Sequence, residues 1–63
     1  MKNRKDYYQR MKRRARNSAI WYQHNFEDIM KTSAMSVTEW TEHFRKLGKR
    51  YGLTEEFKEN GII

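Results

Sequence analysis

The sequence predicts an all-α fold: a long N-terminal helix packed antiparallel on a shorter second helix, with a short third helix at the C-terminus. Three observations predict it. Apolar residues recur at steps of three and four from Tyr8 to Ile29, a capping signature opens at Ser36, and all three glycines of the 63-residue chain fall after Leu47, with no proline anywhere. Nothing therefore punctuates the chain before "KTSAMS", and the helix-breaking residues gather where helices are expected to end.

The first helix is predicted over about 4–31. Tyr8, Met11, Ala15, Ala19, Tyr22, Phe26 and Ile29 share one face at helical spacing, and a helix of that span is roughly 40 Å long. The second helix is predicted over 37–51. Ser36 as N-cap with Glu39 three positions later is a capping box, and Met35 before the cap is placed to staple onto Trp40. Its apolar stripe is Val37, Trp40, Phe44, Leu47 and Tyr51, and Gly52 sits at the position that closes a helix in the left-handed conformation. The third helix is predicted over 54–60, with Thr54 as N-cap, Gly61 after its end and Ile62 set to contact Phe57.

Residues 1–63 are read as one small helical domain. A chain of this length buries only about 60% of the surface its unfolded form exposes, and without cysteine it has neither disulfides nor thiolate metal ligands to support it. Apolar packing must hold it. Fifteen residues of second helix and one turn of third cannot cover a first helix of that length, so a homodimer is expected, with the basic end left outside. No segment is apolar enough to span a bilayer and no secretory signal core follows the basic start, so a cytoplasmic protein without membrane attachment is expected.

The charge is strongly partitioned. The chain carries net +6, yet residues 1–16 hold Lys2, Arg4, Lys5, Arg10, Lys12, Arg13, Arg14 and Arg16 against Asp6 alone, and the remainder is close to neutral. In the second helix, acids come first and Arg45, Lys46, Lys49 and Arg50 come last, the order that complements the helix dipole; Glu55 and Glu56 do the same at the start of the third. The first helix has no such explanation. Arg10 with Arg13, Arg10 with Arg14, Lys12 with Arg16, and Arg13 with Arg16 are like-charge neighbours, each costing roughly 0.2–0.5 kcal/mol. A polyanion would relieve that crowding. The expected partner is DNA or RNA, with phosphates contacted by Arg10, Lys12, Arg13, Arg14 and Arg16, assisted by Arg4 and Lys5.

Asn17 and Gln23 are placed to reach base edges. Ile20 and Trp21 fall outside the apolar stripe, among the arginines. An aromatic there can stack on an unpaired base, but Leu53, Phe57 and Ile62 of the third helix need a surface, and packing against them is the expected role of Trp21. "KRRARNSA" is similar to the basic region of leucine-zipper transcription factors. That pattern then fails at Ile20 and Trp21, where paired alanines belong, and no leucine heptads follow, so it assigns Asn17 no role.

His24 with Glu27 and Asp28, and Glu39 with His43, have metal-ligand spacings but no second well-placed histidine, so no metal or other cofactor is expected. No nucleophile elbow, phosphate loop or HExxH occurs, and a non-enzymatic role follows. The ending "FRKLGKRYGLTEEFKENGII" resembles short proteins encoded by phages and integrated mobile elements of Gram-positive bacteria, which close on a comparable "LGKRYGL…EF.ENG" tail. The resemblance implies a phage-type role: a nucleic-acid-associated accessory factor, or an inhibitor that docks on a host protein.

Overall fold

The computed structural model describes residues 4–63, with side chains from Lys5 onward, and among these residues it is all-helical. Four helices follow one another: α1 Arg4–His24, α2 Phe26–Thr32, α3 Val37–Tyr51 and α4 Thr54–Glu59. The first helix expected over 4–31 is thus two segments joined at Asn25, whose φ of −114° and ψ of 22° leave the helical well. The hydrogen-bond ladder passes through the junction. The Asn25 N–H donates to the Trp21 carbonyl at 3.0 Å, and the Asn25 carbonyl accepts from Ile29 N–H at 2.9 Å. The Asn25 side chain also donates to the Trp21 carbonyl, at 2.9 Å. An asparagine amide competing for a backbone partner is a physical reason for the helical dihedrals to lapse at this residue without proline or glycine.

The α2 helix ends at Ser33, which is extended, and its hydroxyl accepts from Met35 N–H at 3.0 Å. The capping box then forms as expected: the Ser36 hydroxyl accepts from Glu39 N–H and the Glu39 carboxylate accepts from Ser36 N–H, both at 3.2 Å. Gly52 closes α3 with φ 68°, and Leu53 N–H reaches back to the Gly48 carbonyl at 2.8 Å. The last helix begins at Thr54 as predicted but differs in its cap and ends one residue earlier. Its N-cap is Leu53 and Thr54 is its first helical residue, while Asn60 lies just beyond its end. Leu53 takes the cap position because its side chain is held in the core, and Thr54 is thereby pressed against Gly48. Gly61 follows with φ 72°, and Ile62 N–H bonds the Phe57 carbonyl at 2.9 Å.

The core draws Ala15, Ala19 and Tyr22 from α1, Ile29 from α2, Phe44 and Tyr51 from α3, and Leu53, Phe57 and Ile62 from the C-terminal region. Phe44 is its centre: only 1% exposed, it lies 5.0 Å from the Tyr22 ring and 5.9 Å, edge to face, from Phe57. Fully burying a side chain of this size contributes about 1.5–3 kcal/mol, and edge-to-face aromatic pairs add to it. Contact order reverses between α1 and α3. Tyr8 early in α1 meets Tyr51 at the end of α3, ring centroids 5.8 Å apart, while Tyr22 late in α1 meets Trp40 near the start of α3 at 5.1 Å. The described residues extend 43 × 21 × 17 Å. Tyr8, Phe26 and Val37, assigned to the apolar stripes, remain exposed at the margins of this small core.

Gly48 is a buried glycine inside a helix, where alanine would ordinarily add roughly 0.8–1.0 kcal/mol of stability. A Cβ there would stand 3.2 Å from the Thr54 backbone N and Cα and 3.1 Å from its Oγ1. Gly48→Ala should therefore lower stability by about 1 kcal/mol, read as a lower urea midpoint. A raised midpoint would show that the α3–α4 corner yields to the methyl group.

Candidate nucleic-acid interface

The basic residues of α1 divide into two sets according to what packs beside them. Arg16 turns toward α4, where its Nε donates to one Glu56 carboxylate oxygen at 2.7 Å and its Nη2 to the other at 3.0 Å. This is a two-pronged guanidinium–carboxylate fork. It holds the Glu56 carboxyl below its ordinary range and raises the Arg16 guanidinium, and the Lys12 charge adds to the lowering of Glu56. Arg16 was expected to stand among unrelieved positive charges. Its counter-charge instead comes from within the chain, because the seat of α4 places Glu56 against it. Lys12 is half-buried on that same flank and shares the benefit; Lys5, exposed, falls on the same helical row one heptad earlier.

Arg10, Arg13 and Arg14 form the second set. They share an arc of about 100° on α1, all three are exposed, and among the described residues none has a carboxylate or hydrogen-bond partner. Asn17 is exposed on the same arc. The Arg4 side chain lies outside what the structure describes.

α3 enlarges this set. The Tyr8–Tyr51 contact brings the end of α3 beside the basic half of α1. A shallow groove between the two helices is lined by Met11, Arg14 and Ser18 on one side and His43, Leu47 and Tyr51 on the other, over a floor that includes Ala15. Leu47 also borders a second depression lined by Lys46, Lys49 and Arg50. No acidic side chain lines either hollow among the described residues. The sequence explains Lys46, Lys49 and Arg50 only as complements to the helix dipole; that the hollow they line shares Leu47 with the groove bordered by Arg14 depends on helix packing and left no sequence signal. Arg45, by contrast, is paired with Glu42 one turn earlier.

The aromatic neighbours also differ from expectation. Trp21 does not cover Leu53, Phe57 and Ile62, which are buried in the central cluster. Its ring rests against Trp40 at 6.2 Å while the residue stays 52% exposed. Tyr7 is 61% exposed, and Ile20 is exposed as well. Gln23, expected at base edges, donates to the Asn60 carbonyl at 2.8 Å and so ties α1 to the chain end. His24, Glu27 and Asp28 border a shallow depression beside the Asn25 junction, and no group of three or more metal-ligating side chains occurs among the described residues.

No family model matches the chain, and comparison with curated proteins and with solved structures finds no match. No helix among the described residues is long and apolar enough to cross a membrane.

The Arg16–Glu56 fork has a pH signature. A carboxyl whose folded-state pKa is lowered stabilises the fold above its unfolded value, near 4.5, and that stabilisation is lost as pH falls through the folded value. Wild type should therefore melt at a higher temperature than Glu56→Gln at pH 7, with the difference closing as the pH is taken below 4.5. A difference that stays constant on acidification would show that the fork contributes nothing through its charge.

Proposed function

We propose that this protein is a small, non-enzymatic, nucleic-acid-binding accessory or regulatory factor of the phage or mobile-element type, cytoplasmic in location. In this reading the antiparallel pair of α1 and α3 presents Arg10, Arg13 and Arg14 to the phosphate backbone of DNA or RNA, with Lys46 and Arg50 alongside. The observation that carries it is the contrast within α1. Where a carboxylate is within reach, as at Arg16, the chain uses it. Three arginines on the outer arc are left crowded and unmatched among the described residues. Mutual repulsion costs about 0.2–0.5 kcal/mol per pair, a meaningful fraction of the stability of so small a fold. Phosphates would remove that cost and release counterions on binding.

The expected homodimer is, in this reading, joined at the other end of the molecule. There Tyr22, Phe26, Val37, Ile62 and Ile63 line an apolar hollow, so pairing would leave the basic ends outward. The rival reading is an inhibitor or adaptor that docks on a host protein, and exposed Tyr7, Ile20 and Trp21 favour it. Salt separates the two. If three phosphates are contacted, the log–log dependence of duplex affinity on salt should have a slope of about −2.7, and Arg13→Ala with Arg14→Ala should flatten it by nearly two units. Arg16→Ala should leave the slope where it was, because that guanidinium is engaged by Glu56. Weak, salt-insensitive association with duplex DNA, single-stranded DNA and RNA alike would sink the nucleic-acid reading in favour of a protein partner.

A further inference from the structure

The geometry points to a single strand, in preference to a duplex, as the nucleic acid that α1 receives, with an unpaired base stacked on Trp21. This inference rests on the proposed phosphate contacts and adds a base contact to them. Tyr7, Arg14 and Trp21 are seven residues apart, nearly two full turns, so they lie in one row along α1 at intervals of about 10.5 Å. Arg10 and Asn17 fall on the same arc between them. The row therefore alternates an exposed ring, guanidinium groups and a second exposed ring along the open side of the α1–α3 groove. Bases offer flat π-faces to such rings only when they are not paired and stacked within a duplex, while the arginines follow the backbone that links them.

The state of Trp21 supports this use. The indole touches Trp40 at a tilt of 58° and takes no place in the core, and half of its surface is open. A second copy of the chain is the competing occupant for exposed rings, and charge argues against it. Joining two copies through this row would bring Arg10 and Arg14 of each toward the other, and no acidic side chain lines the adjoining hollows to offset them. A polyanion meets both features at once: phosphates for the guanidinium groups and bases for the rings.

The test uses the full chain with oligo(dT) and oligo(U) of about 12 nucleotides and a matching duplex, each titrated across a salt series. Trp21→Ala should weaken binding to both single strands about tenfold, leave the salt slope unchanged and leave duplex affinity unaltered. Trp21→Phe should retain most of the affinity. Oligonucleotide should quench the emission of wild type but not of Trp21→Phe, which keeps only Trp40 and so gives a readout independent of any effect of alanine on folding. Unchanged single-strand affinity in Trp21→Ala, with Arg10→Ala plus Arg14→Ala weakened, would overturn the stacked base and leave the phosphate contacts standing. Absence of salt-dependent binding by wild type to all three probes would overturn both. Dissociation of a wild-type dimer by Trp21→Ala in sedimentation equilibrium would assign the row to a contact between copies and overturn the single-strand inference. Oligo(dT) and oligo(U) binding alike supports a site that reads unpaired bases without regard to the sugar.

Discussion

The packing of Phe44 against Tyr22 on one side and Phe57 on the other is the contact on which the rest of this structure depends. With no disulfide available, apolar packing holds α1, α3 and α4 together, and the Phe44 ring touches the other two. Ala15 and Ala19 on the buried face of α1 contribute little bulk, and Gly48 contributes none where the start of α4 meets α3. Small residues at the approaches and large rings at the centre let few side chains bury enough apolar surface to order the chain.

The electrostatics follow from that seat. With Phe57 docked on Phe44, the first turn of α4 lies along one flank of α1, where Glu56 meets Arg16. The same packing carries the end of α3 to the basic half of α1, so the hollow lined by Lys46, Lys49 and Arg50 shares Leu47 with the groove that Arg14 borders. On one flank of α1 a carboxylate from within the chain thus answers Arg16, while Arg10, Arg13 and Arg14 on the other have none among the described residues. The fold converts an evenly basic stretch of sequence into a molecule with a sided charge distribution, and a sided distribution is what orients a polyanion on a surface.

The aromatic residues divide along the same line. Tyr22, Phe44 and Phe57 are consumed by the core, while Tyr7 and Trp21 are left on the unmatched side. Phe26, just past the Asn25 junction, lies instead at the edge of an apolar hollow lined also by Val37, Ile62 and Ile63. Basic and apolar surfaces end up at different places on a body only 43 Å long.

What was legible in the sequence shares one property: the partners lie within about five residues of one another. Ser36 with Glu39, the positive φ of Gly52 and Gly61 and the return of Ile62 to Phe57 rest on such short-range bonds, and these were readable. The Asn25 junction is also local, but it was masked because the apolar period continues through it. The remainder required two distant elements to meet. Arg16 and Glu56 are forty positions apart, and no spacing rule joins them. By itself the sequence determined an all-helical chain, the glycines that follow α3 and α4 and that its positive charge crowds one end. Only the tertiary structure decided which of those charges are answered within the fold and which face outward, because that depends on the side of α1 against which a distant helix comes to rest.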